Sequence, residues 1–499
     1  MKTKNNKVLV ISILIVLAFV AFGAILPSVL GGAAQWAFSV LTRQFGWLYL
    51  IAVFVMMVFA FYVALSPLGK LKMGKESDQP EFTDFQWFTM LFGGAMGIGL
   101  VFYSVAEPLM HYAAPPTEAA GTSAAMYEAM ETVFFHWGIH PWVIYAIGGL
   151  ALGYFSFKKG RPFLVSSAFE PLLGDRVDGP IGKTIDILAV FATVFGVATS
   201  LGLGASQIVG GLNYIYGVKG GTLLTCLIIA GITVCFTLAT ISGLQKGMQL
   251  IADIKIWLSV GFMIFIFVFG GAVFILDLFT NTLGGYLGNL LPHSLWMENK
   301  DFVSDWTVFY WAWWIAWAPF CGQFCARVSK GRTVRQYLLT VSLLPAVLGF
   351  VWLSSYGGAA FHMNEMSGGG LLAAVQQDHT TGLFALLQQL PLYGITAPLA
   401  LALILFSFLG SANSATYVLS MLTDQGNIDP SKKLRAGWGI AQGLVTIVCI
   451  IIGGTSVLQI LQTTSIVAAF PYMFIMIFMC ISIYKAMHKD AVTEGLLNK

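Results

Sequence analysis

Charge is what this chain has least of. Asp, Glu, Lys and Arg make up only 10% of its 499 residues, against 57% hydrophobic ones, and the mean hydropathy is +0.80. A soluble globular domain carries about 25% charged residues, so that class is excluded and an all-α polytopic membrane protein remains. The six cysteines, Cys226, Cys235, Cys321, Cys325, Cys449 and Cys480, fall in apolar runs without metal-ligand clustering. That spacing argues against a disulfide framework or a zinc site and predicts core packing. HExxH, GxSxG and clusters of carboxylates with histidine are all missing, which argues against a membrane enzyme. No cofactor motif is present, and the net charge of +3 comes without a basic module, so no nucleic-acid partner is expected.

What is abundant is apolar sequence of membrane length. Segments of about 20 mostly apolar residues begin near Val8, Trp47, Phe88, Val133, Ile187, Thr222, Leu250, Phe309, Tyr337, Ala397, Gly437 and Ile466, which predicts twelve spans in the lipid bilayer. The first has no small-residue cleavage site after it and reads as a retained helix. Basic residues fall on alternate loops: Lys70, Lys72 and Lys75, then Lys158, Lys159 and Arg161, then Arg327 to Arg335, then Lys432, Lys433 and Arg435. By the positive-inside rule these loops and both termini are cytoplasmic, in a bacterial-type inner membrane, leaving only Arg43, Lys219 and Lys300 outside. Lys255 falls within a span. A short surface helix is expected at Leu371 to Val375, and an interfacial one at Phe274 to Leu290 with Leu276, Leu278, Phe279 and Leu283 on one side.

Aromatic residues crowd two of these segments. Asp305 to Trp317 holds five tryptophans and a tyrosine, with Tyr310, Trp313, Trp314 and Trp317 at helical spacing on one face. A second run is His136-Trp-Gly-Ile-His-Pro-Trp-Val-Ile-Tyr145. Stacked ring faces attract a cation that cannot donate hydrogen bonds, at roughly 0.5 to 2 kcal/mol per contact. A small quaternary ammonium is the ligand this chemistry suits. His136 and His140 lie one turn apart, but without a third ligand nearby a metal is not expected, and pairing with buried carbonyls or Glu131 is the better reading.

Between Phe92 and Pro108 lie four glycines within seven residues, Gly93, Gly94, Gly97 and Gly99. Such density permits close helix packing; it also permits unwinding, which membrane depth tolerates only beside a cavity. The unwound stretch would comprise Ala95, Gly97 and Gly99, with Met96 facing substrate. Glu107, before Pro108, reads as structural or gating. Pro319 and Gly322 would interrupt a later span in the same way.

The glycine run with Glu107-Pro108, the His-Trp-x-x-His-Pro-Trp-x-x-Tyr run, the Tyr-Trp-Ala-Trp-Trp run and Ala326-Arg-Val-Ser-Lys-Gly-Arg-Thr333 together resemble the betaine/carnitine/choline transporter family. The resemblance covers nearly the whole chain. It implies alternating access, a homotrimer, and two inverted five-helix repeats, helices 3–7 and 8–12, after two extra N-terminal helices. Residues 1–499 would form one transporter domain: 1–86 the extra helices, 87–276 the first repeat, 277–499 the second with its interfacial helix. The resemblance also implies an aromatic box of Trp137, Trp142, Tyr145 and Trp314, with Trp313 and Trp317 along the same pathway.

Coupling is where the chain departs from sodium-dependent relatives. In Leu409-Gly-Ser-Ala-Asn-Ser414, Gly410 stands at the expected threonine; in the fifth helix Val197 replaces another hydroxyl, although Thr193 and Ser200 are present. Lys255 occupies the position of an arginine that sodium-independent exchangers carry, so its ammonium would replace a bound ion. The expected activity is alternating-access transport of glycine betaine, carnitine, butyrobetaine or choline. Sodium-independent exchange or facilitated uptake is favoured, with a sodium- or proton-coupled symporter as the alternative. The substrate carboxylate would meet backbone amides or hydroxyls near Met96 and Ser411.

Overall fold

A computed structural model describes residues 6–95, 97–242, 245–454 and 457–498. Apolar runs without water to bond their backbone must satisfy it internally, and helices do so. The helices run α1 (Lys7–Ile25), α2 (Pro27–Leu65), α3 (Asp84–Ala95), α4 (Ile98–Ala113), α5 (Ser123–Trp137), α6 (Ile139–Gly153), the one-turn α7 (Glu170–Leu173), α8 (Pro180–Tyr216), α9 (Thr222–Ser242) and α10 (Gln245–Phe269). Then follow α11 (Ala272–Ser294), the one-turn α12 (Lys300–Phe302), α13 (Val308–Val328), α14 (Val334–Met366), α15 (Gly370–Gln377), α16 (Gly382–Gln388), α17 (Tyr393–Thr423), α18 (Lys432–Gly453) and α19 (Val457–Thr493). Among the described residues there is no strand, and ten helical stretches are long and apolar enough to cross a membrane. The chain is a multi-pass membrane protein.

Several expectations need correction. The second segment starts far earlier than Trp47: α2 begins at Pro27, directly after Leu26, and carries Arg43 within the helix. Proline suits a first helical position, which makes that junction a one-residue corner. Neither Pro319 nor Gly322 interrupts α13, which runs through both. A Cβ on Gly322 would stand 2.8 Å from the backbone carbon of Gly148, and one on Gly149 would stand 2.6 Å from the Gly322 carbonyl. These glycines let α6 and α13 meet backbone to backbone. A break does occur at Gly138, between α5 and α6. There a Cβ would meet the Phe134 carbonyl at 2.4 Å, and the Ile139 amide, left without a helical partner, donates to the Tyr286 hydroxyl.

On α11 the buried face is Ile275, Leu278, Thr282 and Tyr286, while Leu276 points outward. The expected surface helix is α15, but Leu371 and Val375 are buried, with Val375 against Gly382 of α16. Of the cysteines, Cys325, Cys449 and Cys480 are buried as expected; Cys226 and Cys321 are half-buried and Cys235 is exposed on α9.

The Ala326–Thr333 motif proves to be a clamp. Gly331 has φ +82°, and its amide donates to Met73, while the Met73 amide donates to Arg332 and the Val334 amide to Leu71. Arg332 is buried; its guanidinium lies 4.2 Å from the Trp87 ring centre, donates to the Phe82 carbonyl and pairs with Asp84. Trp87 donates to Ser329, and Thr333 with Gln336 caps α14. The motif thus ties the start of α3 to the α13–α14 link. Arg332→Ala strips a carbonyl of its donor and a ring of its cation, so it is expected to cost about 1–3 kcal/mol. A lowered midpoint in a detergent thermal melt checks this; an unchanged melt would refute the clamp.

Candidate binding site

The aromatic site is assembled from four helices. α5 delivers Trp137 at its last turn, α6 delivers Trp142 and Tyr145, α13 delivers Tyr310, Trp313 and Trp314, and α4 backs them with Gly99. Trp137 meets Trp314 edge to face at 5.0 Å, and Trp313 lies parallel to Trp314 at 5.0 Å and 9°. Tyr310 closes the set, 5.5 Å from Trp137 and 5.8 Å from Trp314. Tyr145 approaches Trp314 at 6.2 Å, with Trp142 beyond it at 5.4 Å. These separations are those of energetically favourable ring pairs.

The indole nitrogens of Trp313 and Trp314 on α13 and of Trp137 at the end of α5 are anchored. Trp314 donates to the His136 carbonyl at 3.0 Å, Trp313 to the Ser200 hydroxyl at 3.2 Å, and Trp137 to Glu107 at 2.7 Å. Trp317 stands apart, one turn along α13, donating to the Gly196 carbonyl and packing on Phe320. Trp311 points away from the set and stacks on His140 at 5.2 Å. Trp137 and Trp314 are each 8% exposed and Tyr145 4%, so the rings are closed on one another and admit a ligand only after moving.

The glycine break is present: α3 ends at Ala95, and extended Gly97 caps α4. Met96 lies outside the described residues. Gly99 falls inside the first turn of α4, where a Cβ would stand 2.4 Å from Cη2 of Trp313 and 3.1 Å from Cη2 of Trp137. Glycine is therefore required there because two indoles lean on the backbone. Gly99→Val is expected to displace both rings and lower uptake by roughly tenfold or more at equal protein level. Uptake equal to wild type would show that ring placement is unimportant. Ser411 sits half-buried on α17.

Beside the break, the Lys255 ammonium donates to the Gly93 carbonyl on α3 at 3.4 Å, while Asp253 is exposed. The cation thus lies at the C-terminal end of α3, where helix carbonyls present partial negative charge. The fifth-span hydroxyls are engaged elsewhere. Thr193 bonds its own helix at Ala189, Ser200 receives Trp313, and Val197 is buried between them in sequence.

Glu107 is the side chain whose surroundings sequence reasoning undervalued. It is fully buried, and besides Trp137 it accepts from Tyr310, from Nδ1 of His136 at 2.8 Å and from Nε2 of His111 at 3.2 Å. The expectation that His136 would pair with a carbonyl or Glu131 is thus corrected; Glu131 lies by Asn289, and His140 bonds Ser294. Glu107, His111 and His136 have donor atoms within 4.8 Å of one another, the third ligand that the sequence did not reveal. Four hydrogen-bond donors nevertheless fill the carboxylate, which marks the cluster as a proton-held network. The available signal was an acid within an apolar run, since membrane burial of a charge is costly without a role.

A cavity of about 550 Å³ lies one aromatic layer away, lined by Phe102, Asp305, Trp306, Asp378, His379, Gln459 and Gln462 among others. Phe102 touches Tyr103 at 4.8 Å, and Trp306 lies parallel to Tyr310 at 6.3 Å. Those rings separate the cavity from the aromatic set.

The family model described as BCCT, betaine/carnitine/choline family transporter, matches residues 7–492. The chain belongs to this family. It is therefore a membrane transporter and not an enzyme. It is 60% identical over 487 residues, 98% of each chain, to a probable glycine betaine transporter of Desulfitobacterium hafniense strain Y51. Identity is 43% over 486 residues to the glycine betaine transporter OpuD of Bacillus subtilis strain 168, covering 96% of this chain and 94% of that one. An ectoine/hydroxyectoine transporter of Virgibacillus pantothenticus is 37% identical over 98% of this chain and 97% of its own.

Proposed function

We propose that this BCCT-family transporter carries betaine-like quaternary ammonium compounds, glycine betaine foremost, by alternating access without sodium. The observation that carries the reading is the closed cluster of Trp137, Tyr310, Trp313 and Trp314 beside a broken helix. A trimethylammonium has no hydrogen to donate and is held by ring faces. Trp142 and Tyr145 form the next wall and Trp317 a waypoint along α13, while the substrate carboxylate meets the break near Met96 or Ser411. The names of the two glycine betaine relatives support this substrate over carnitine or choline.

Lys255, placed to stand in for an ion at the end of α3, supports this coupling mode, as do Val197 and Gly410, which offer no side-chain oxygen where sodium would need one. Exchange or facilitated uptake is the resulting activity. Symport with protons or sodium is the second reading.

The fold organises this as twelve spans. α3 with α4, and α13, add two to the ten apolar stretches, since breaks and tryptophans lower their hydropathy. Residues 1–86 are the accessory pair, 87–276 and 277–499 the inverted repeats. A homotrimer with both termini on the cytoplasmic face of the cell membrane completes the assembly. Uptake of labelled glycine betaine into proteoliposomes tests the function. Stimulation by preloaded unlabelled substrate, indifferent to sodium and to a proton gradient, is the expected result; stimulation by sodium alone overturns the coupling mode, and no saturable uptake overturns the substrate.

A further inference from the structure

Resting on that reading of the aromatic cluster, we propose that Glu107 is its counter-charge: a specificity-determining carboxylate behind Trp137 and Tyr310 that makes the site read the positive charge of the head group, beyond its shape.

The geometry is a relay of two layers. One oxygen of Glu107, Oε2, accepts from the indole N–H of Trp137 at 2.7 Å and from the hydroxyl of Tyr310. The other, Oε1, accepts from His136 and His111. Four donors on two oxygens stabilise the ionised form.

The histidines do not cancel that charge. Nε2 of His136 lies 3.1 Å from the Thr307 hydroxyl, so a neutral ring donates to Glu107 on one side and accepts from Thr307 on the other. Nδ1 of His111 is buried without a partner, and protonating it would bury an N–H with no acceptor. Among the described residues no Lys or Arg forms an ion pair with Glu107, and its contacts to these two histidines are hydrogen bonds when the rings are neutral. The neutral tautomers leave the cluster with one net negative charge, enclosed and unscreened.

That charge reaches a head group in two ways. A ring whose N–H or O–H is held by a carboxylate carries more electron density on its face, which strengthens cation–π attraction at Trp137 and Tyr310. The carboxylate also acts directly: at about 6 Å and an effective dielectric near 20, a full charge changes affinity for a cation by up to roughly 100-fold. Neither contribution acts on an uncharged head group of the same shape.

The test compares two ligands on purified protein: glycine betaine and its carbon isostere 3,3-dimethylbutanoate, in which a tert-butyl group replaces trimethylammonium. Direct binding of labelled betaine and competition by the isostere give both affinities. In wild type, betaine binds more tightly. Glu107→Gln, which keeps the shape and one carbonyl oxygen to accept from Trp137 and Tyr310, is expected to lower the betaine-to-isostere affinity ratio about tenfold or more, because the carboxylate common to both ligands cancels in the ratio. Tyr310→Phe, which cuts one arm of the relay and keeps the ring, is expected to lower the betaine-to-isostere ratio by a smaller factor, and Glu107→Asp to restore it towards wild type. Equal weakening of both ligands, or an unchanged ratio in Glu107→Gln, overturns the proposal. Should Glu107→Gln fail a thermal melt, the ratio in Tyr310→Phe decides, and an unchanged ratio there also overturns it. Wild-type protein that binds neither ligand refutes the proposed substrate itself, a separate failure.

Discussion

Trp314→Ala is expected to raise the half-saturating concentration of glycine betaine by roughly 10- to 100-fold with little change in protein level. Trp314 sits at the centre of the cluster, touching Trp137, Trp313, Tyr310 and Tyr145. Removing it deletes one cation-facing wall and leaves its neighbours without support. A loss of about 1.4 to 2.8 kcal/mol, which one or two desolvated ring contacts supply, accounts for the expected range. Trp314→Phe retains an aromatic face and should recover most of the affinity. Concentration-dependent uptake in proteoliposomes measures both variants, and a half-saturation equal to wild type for Trp314→Ala would remove the tryptophan from the site. Trp317→Ala serves as the contrast, because that ring lies outside the cluster and should change affinity much less.

Lys255→Ala should reduce sodium-independent uptake by at least tenfold, or make uptake respond to added cation. The ammonium lies at the end of α3, beside the point where the helix gives way to extended Gly97. Removing it takes the positive charge away from the carbonyl end of α3 within an apolar span, where an uncompensated helix end is costly. Lys255→Arg keeps the charge and is expected to transport. Normal sodium-independent uptake by Lys255→Ala would disprove the ion-substitute role.

Much of this architecture is readable from residue order, and the unreadable parts share a cause. Membrane helices are declared by long apolar runs, and the break at Gly97 by glycine density, because both depend on neighbours in sequence. Gly138 shows the limit. A single glycine before His140-Pro141 looks like any packing glycine, and only the Tyr286 hydroxyl on a distant helix, which receives the freed Ile139 amide, makes the break stable. Conversely Pro319 and Gly322 look like an interruption, yet α13 passes through them because Gly148 and Gly149 lie against it.

The binding residues divide along the same line. Tyr310, Trp313 and Trp314 announce themselves by helical spacing, and their convergence with Trp137 follows the family resemblance. Glu107 does not: its four partners come from α4, α5 and α13, 4 to 203 positions away in the chain. A carboxylate surrounded by aromatic donors is a three-dimensional fact, and the sequence shows only that an acid stands in an apolar run. His136 was misassigned for the same reason, since its true acceptor is 29 positions distant and its nearer candidate, Glu131, turns towards α11.

The glycine contact between α6 and α13 sets how the site must open. With main chain pressed on main chain at Gly148, Gly149 and Gly322, these two helices have no cushion of side chains at that level, and they are expected to travel as one plank. Trp142 and Tyr145 ride on one half of it and Trp313 and Trp314 on the other, so the rings of both helices are expected to shift together. Parting this pair from α8 has to break the hydrogen bonds by which Trp313 and Trp317 are held, to Ser200 and Gly196. Those two bonds act as latches on a door whose hinge leaf is built to be stiff.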